Sequence, residues 1–333
     1  MLTVLSCIAT GHDLRYVALA AFICTIGSAL SMRLFARIRR TDGARRLHWL
    51  FLAGLVAGGT IWATHFAAML GYDIPLGRSF EPFLTKVSLG IAVVFSLVGL
   101  WIAGRAGNGW GIELGGAVLG AGIVTMHYTG MAAMQVPGVI QWDKGLIAWS
   151  VFFGVGFGTL TTSRISRPIT RFCKYGATAS MVLAICSMHF TGMGAATVVP
   201  LPGIPVPEQA ISDGVLLMTV VAVLLVIMAT AASAYTIDLH GAREASERYK
   251  HLALHDPLTG LANRNHLAIR LDEMLSGSVD DPGRLAVVGL DLDRFKDVND
   301  VHGHAAGDAL LREIAQRAAS AIGPDAFLAR IGG

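Results

Sequence analysis

The sequence predicts a mostly α-helical membrane protein. It reads as a bundle of seven transmembrane helices, built as three two-helix repeats plus one helix, followed by a partial α/β domain. Three observations predict this. Of 333 residues, 53% are hydrophobic and only 15% charged, which is too apolar for an ordinary water-soluble globule. The charge is divided: residues 1–237 hold 15 Lys and Arg against 8 Asp and Glu, and residues 238–333 hold 11 against 15. The third is a motif repeated at even intervals inside the apolar part.

The apolar part breaks into seven segments long enough to span a bilayer at about 20 residues each. They are Leu14–Phe35, Leu47–Leu70, Phe83–Gly104, Trp110–Met134, Leu146–Ser163, Tyr175–Val199 and Gly214–Ile237. Pro and Gly clusters mark gaps at Tyr72-Asp73-Ile74-Pro75, Val136-Pro137-Gly138 and residues 200–205. The first, third and fifth gaps carry eleven Lys and Arg, from Arg33 to Lys174. The opposite side carries four: Arg15, Arg78, Lys86 and Lys144. Basic loops stay in the cytoplasm. The expected protein is therefore a multi-pass protein of the cytoplasmic (inner) membrane, with a periplasmic N-terminus and a cytoplasmic tail. No basic region precedes the first apolar stretch, so no cleaved signal peptide is expected. The net charge of +3 sums a basic membrane part and an acidic tail, so it says nothing about nucleic acid, and no nucleic-acid partner is expected.

Small residues at Gly54 and Gly58, and at Gly111, Gly115 and Gly116, suit close helix approach. Glu113 is a carboxylate inside a span, near its inner end. Cys7, Cys24, Cys173 and Cys186 show no metal or redox spacing, and two of them lie inside apolar runs, so no disulfide framework is expected.

The motif is Met126-His127-Tyr128-Thr129-Gly130-Met131, with copies at Thr64-His65-Phe66-Ala67-Ala68-Met69 and Met188-His189-Phe190-Thr191-Gly192-Met193. The histidines are spaced 62 residues apart, each with a methionine four residues later. Positions i and i+4 share a helix face. The copies fall in helices two, four and six, at similar depth near the outer ends. A 62-residue hairpin repeated three times in one orientation explains the spacing. One such pair reads as a hydrogen-bonded histidine beside a space-filling methionine. Three in register, kept while neighbouring positions drifted, read as a shared site. Thioether and imidazole suit copper, and the lack of a carboxylate argues against magnesium, calcium and manganese. Haem with His/Met ligation is the alternative.

This triple motif resembles the MHYT domain, a bacterial integral-membrane sensory module, over about residues 12–237. The resemblance implies a copper site near the outer face that senses oxygen, carbon monoxide, nitric oxide or redox state. Its implied ligands are His65, Met69, Met126, His127, Met131, Met188, His189 and Met193. A copper transporter is the rival reading, but transport needs ligands along a path inward, and His48 alone stands near the inner end of helix two.

Residues 238–254 form the expected helical linker. Ala242, Ala245, Tyr249 and Leu252 recur at intervals of 3, 4 and 3, as in a short coiled coil joining two copies. A helix lying on the membrane is the alternative. From residue 255, Asp256-Pro257 with Gly260 marks a turn and a helix start. Leu285–Leu290 reads as a buried strand, ending in Asp291-Leu292-Asp293. A carboxylate with a backbone carbonyl can hold magnesium. Asn299 and Asp308 offer a donor and acceptors suited to a guanine edge.

The series resembles the GGDEF domain, the diguanylate cyclase domain, over residues 255–333. That completes the expected fold class with a partial nucleotidyl-cyclase-like domain. The resemblance implies that Asp291 and the Leu292 carbonyl hold magnesium. It places Phe295 and Lys296 near phosphates, and Asn299 and Asp308 on guanine. It also implies two GTP joined into cyclic di-GMP by a homodimer. The family continues past Gly332-Gly333 with Asp-Glu-Phe, so the chain as given is expected to be the N-terminal half of such a domain and inactive alone. A tail that binds GTP without converting it is the remaining alternative.

Overall fold

The structure is a computed structural model that describes residues 11–73, 78–105, 107, 109–170, 172–201, 211–276, 285–323 and 326–332. It divides into two compact units, residues 1–234 and 235–333.

In the first unit each predicted segment is a helix: α1 (Leu14–Ile38), α2 (Gly43–Leu70), α3 (Pro82–Arg105), α4 (Gly111–Ala133), α5 (Lys144–Ser166), α6 (Cys173–Ala195) and α7 (Asp213–Leu254). Among the described residues, six of these are long and apolar enough to cross a membrane, not seven. The exception is α4, although it has the same 23 residues as α5 and α6. Its glycines, Glu113, His127 and Tyr128 dilute its apolar content.

The helices pair as α1 with α2, α3 with α4 and α5 with α6, the hairpins of the predicted repeat. α2 is the most enclosed, with 83% of its apolar window buried, against 17% for α7. Small residues set the separations. A Cβ on Gly58 would stand 2.5 Å from Val93 Cα of α3, and one on Gly116 would stand 2.6 Å from Gly158 O of α5. Backbones this close exclude any larger residue. Gly54 packs on Leu97 and Gly115 on Gly99, as the sequence suggests. Glu113 is held by Arg167 at the start of α4.

The gaps marked by Pro and Gly contain ordered strand pairing. β1 (Ser79–Phe80), before α3, pairs antiparallel with β2 (Met134–Gln135), after α4. β3 (Gly138–Trp142), before α5, pairs with β4 (Ala196–Pro200), after α6. A bridge between His12 and Tyr72 closes the first hairpin in the same way. The expected helix Tyr175–Val199 therefore stops at Ala195, because Thr197-Val198-Val199 is a β-branched run that fits a strand better. A second repeated device lies beside these ladders. Asp13 accepts Arg15 N–H at 2.9 Å, Glu81 accepts Phe83 N–H at 2.8 Å, and Asp143 accepts Gly145 N–H at 2.8 Å. Each acid satisfies the exposed donors at the start of an odd-numbered helix.

α7 docks through Leu216, Val220 and Ile227. Gly59 of α2 faces it: a Cβ there would meet Val223 Cγ1 at 3.2 Å and Ile227 Cδ1 at 4.0 Å. α7 then runs on into the second unit as one 42-residue helix. Tyr249 and Leu252 of the expected coiled coil are exposed on it; the side chains of Ala242 and Ala245 lie outside the described residues.

The second unit contains β5 (Ala262–Asn263), α8 (Arg264–Ser276), α9 (Phe295–His302), α10 (His304–Ala321) and β6 (Ala329–Arg330). β5 and β6 pair in parallel. The predicted turn is present: Asp256 Oδ1 accepts Thr259 N–H at 2.9 Å and its hydroxyl at 2.7 Å, and Gly260 takes φ +73°. The buried strand expected at Leu285–Leu290 is not formed, and its residues are exposed, Leu290 by 82%. An apolar run becomes a central strand only when neighbours pair with both edges. The described residues supply no such neighbours.

Candidate functional site

His65, His127 and His189 meet in the first unit. Even spacing places each near the end of its helix, and the ladders hold those ends together. The His65 Nδ1 atom lies 3.2 Å from His127 Nδ1 and 3.2 Å from His189 Nδ1. The ring centroids form a triangle with sides of 4.9, 5.2 and 5.2 Å, and the rings stand nearly perpendicular to one another. All three are buried, His127 completely. Among the described residues they are the one His/Cys/Asp/Glu group placed to hold a metal, with their ligand atoms within 4.8 Å of one another.

The cradle is built by the motif's glycines. A Cβ on Gly130 of α4 would stand 2.4 Å from His65 Nε2, and one on Gly192 of α6 would stand 2.4 Å from His127 Nε2. His65 and His127 thus each lie against the backbone of the next motif-bearing helix. In the sequence these glycines are visible as part of the motif, but nothing there signals that they cradle a ring on another helix. The Nε2 atoms of all three rings are buried and have no partner among the described residues. The Nδ1 atoms can hydrogen-bond to one another, with donor and acceptor set by the ring tautomers, or turn their lone pairs toward one shared cation. Imidazole nitrogens bind first-row metals at about 2.0 Å, so nitrogens 3.2 Å apart can share one ion. Nitrogens this close leave no room for a macrocycle between them.

Met69, Met126, Met131, Met188 and Met193 are all buried, at 0–1% exposure. Met188 Cγ lies against Gly154 of α5. The Tyr128 ring stands edge-on to His127, centroids 5.0 Å apart, and its hydroxyl pairs with Ser150 Oγ at 2.7 Å. His12, just before α1, packs on Tyr72 and Phe190 and so extends the aromatic wall beside His189. Nothing in the motif pattern signals His12; the ladder places it. His48, the transport candidate, is exposed and far along α2 from His65.

The repeat occurs outside this chain as well. Residues 58–116, 120–172 and 183–245 each match a family described as the MHYT bacterial signalling protein N-terminal repeat. Each match opens six or seven residues before a triad histidine. The chain belongs to the MHYT family of bacterial signalling proteins. Residues 253–333 match a second family, the GGDEF diguanylate cyclase domain. Relatives include an uncharacterised signalling protein of Caulobacter vibrioides, 30% identical over 99% of this chain and 54% of its own length. The Pseudomonas aeruginosa bifunctional diguanylate cyclase/cyclic di-GMP phosphodiesterase MucR is 32% identical over 95% of this chain and 49% of its own. The cyclic di-GMP phosphodiesterase NbdA of the same organism is 30% identical over 95% and 43%. The MHYT chain thus spans about half the length of these relatives. No solved structure matches it.

In the GGDEF part, Asp291 is exposed and Leu292 half-buried. They follow the stretch that forms no strand, so the expected magnesium half-site has no sheet beneath it. The Leu292 carbonyl accepts the Phe295 N–H at 3.4 Å. Phe295 and Lys296 open α9. Asn299 and Asp308 are brought near each other by a tight reversal at Gly303, φ +80°. The Asn299 carbonyl accepts the Gly303 N–H at 2.9 Å. A Cβ on Gly307 would meet Asn299 Oδ1 at 2.0 Å, so the amide lies beside the residue preceding Asp308. A cavity of about 350 Å³ is lined by Asp256, Asn263, Arg264, Asn265, Arg330 and Ile331. Across it Arg330 donates to Asp256 Oδ1 at 2.9 Å. Burial raises the Asp256 pKa, but hydrogen bonds from Thr259 and Arg330 outweigh it and hold the carboxyl below its ordinary value.

Proposed function

We propose that the membrane unit is a copper sensor whose state is passed through α7 to cyclic di-GMP chemistry in the complete protein. The observation that carries this is the convergence of three buried imidazoles, one from each repeat, on a point small enough for a single ion. His65, His127 and His189 would hold it. Met69, Met126, Met131, Met188 and Met193 supply soft sulfur on the same helices, and no carboxylate joins the group, which favours copper over harder cations. Bound copper would supply a redox-active centre able to take up oxygen, carbon monoxide or nitric oxide. The chain's own part is to desolvate the imidazoles, fix their orientation and keep bulk water out.

We place the triad near the periplasmic face, because the eleven-to-four split of basic residues puts the other loops in the cytoplasm. In that orientation α4 completes a seven-helix bundle in the inner membrane. The tail reads as a cyclase half-site. Asp291 and the Leu292 carbonyl would take magnesium, Phe295 and Lys296 the phosphates, and Asn299 with Asp308 the guanine of GTP. The second half-site would come from a second copy of the protein, coupled through the 238–254 helix. Magnesium would stabilise charge as a 3′-hydroxyl attacks the α-phosphate. Transport finds no support in the buried Gly, Ala and Leu positions lining the inner half of α2.

Elemental analysis of the chain purified from copper-replete membranes tests the reading. The expected result is one copper per chain, lost in His127→Ala. Copper-free wild-type protein, or undiminished copper in the variant, overturns it. GTP turnover by the complete protein, compared with Asp291→Asn, tests the output: a fall of at least tenfold is expected.

A further inference from the structure

The cysteine spacing carries no redox signature, yet the fold brings two of the four together. Cys24 of α1 and Cys186 of α6, 162 residues apart in sequence, place their Sγ atoms 4.0 Å apart. Cys24 is fully buried and Cys186 half-buried. The Ser28 and Thr64 side chains flank Cys24. α1 and α6 are the first and last helices of the three repeats, so their contact is the seam where the ring of hairpins closes. Among the described residues, no strand pairing ties these two helices, whereas one closes each hairpin.

We propose that Cys24 and Cys186 form a reversible disulfide that staples α1 to α6, with a lipid-soluble quinone as the two-electron oxidant. Two S–H bonds break and one S–S bond forms. Two electrons and two protons pass to the quinone, which becomes the quinol. The sulfurs must close from 4.0 Å to about 2.05 Å. The half-buried Cys186 is the thiol a membrane-dissolved oxidant meets first, and Cys24 stands behind it to resolve the adduct. Charge decides against a metal at this pair. Dithiol and disulfide are both neutral, whereas two thiolates on a monovalent soft ion would leave a net negative charge in an apolar bundle. Cys186 lies three residues before His189 on the same helix, so the staple would restrain the helix that carries the third imidazole. The inference does not depend on copper.

The test uses the unmutated full chain in native membrane vesicles. Vesicles are reduced with dithiothreitol, washed, and exposed to a short-chain ubiquinone analogue. Free thiols are then alkylated, and the digest is read by mass spectrometry. The expected result is a fall of at least tenfold in alkylation of both Cys24 and Cys186, with one linked peptide joining them, reversed by dithiothreitol. A Cys7→Ser/Cys173→Ser double variant should keep that link. Unchanged alkylation, or links through Cys7 or Cys173 instead, would overturn the proposal. So would protection without a linked peptide that a copper(I) chelator removes, because that pattern marks a metal.

Discussion

At the residue scale, the account turns on two glycines. Gly130 and Gly192 leave room for the Nε2 edges of His65 and His127, and a methyl group at either would stand 2.4 Å from a ring nitrogen. Gly130→Ala or Gly192→Ala should therefore displace an imidazole and lower copper retention at least tenfold. Gly156→Ala is the control, because nothing lies within 4 Å of a Cβ there; it should leave copper unchanged. Elemental analysis of the three variants side by side reads this out. In the second unit, the depressed Asp256 pKa has a signed consequence. Its contribution to stability is fully present above the ordinary carboxylate value of 3.8 and is lost as pH falls through the lower folded value. The protection of the Thr259 and Gly260 amides against hydrogen exchange, relative to the unfolded chain at the same pH, should fall on acidification through that window, and Asp256→Asn should flatten the response. Arg330→Met should destabilise this turn by about 1.5 kcal/mol, the low end for a hydrogen bond to a charged group, since the pair is 18% exposed.

At the scale of elements, the helices and their pairing were legible because spans need long apolar runs and the motif repeats every 62 residues. Three features were not. The ladders at 79–80 with 134–135 and 138–142 with 196–200 join segments that are far apart in sequence, and such pairing leaves no local periodicity. The acids Asp13, Glu81 and Asp143 look like isolated loop charges until their helix starts are known. The run Leu285–Leu290 has the composition of a central strand, but composition cannot supply its neighbours. The α2–α7 contact carries its own prediction. Ala at Gly59 would ask Val223 to give only slightly, whereas Leu must push α7 aside. Gly59→Leu in the complete protein should keep its copper and lose the copper-dependent change in cyclic di-GMP output. Paired metal and nucleotide assays would show this, and loss of both together would contradict it.

At the scale of the whole molecule, the repeat explains both the site and its legibility. One hairpin cannot bury its own histidine; three related hairpins enclose three at a common level. His65, His127 and His189 could be named from spacing alone. Their partners could not, because the methionine orientations, the glycine cradle and the position of His12 depend on packing between repeats. Cys24 and Cys186 show the same limit: their closeness belongs to the seam that closes the ring. The proposed magnesium half-site rests on a motif series alone, and the sheet that would support it is not formed by the described residues.

The most direct test is X-ray absorption spectroscopy of the copper-loaded full chain in membranes. The account predicts a first coordination shell dominated by three imidazole nitrogens, collapsing when His65, His127 and His189 are replaced together by alanine. A shell without imidazole scattering, or a spectrum unchanged by the triple substitution, would contradict it.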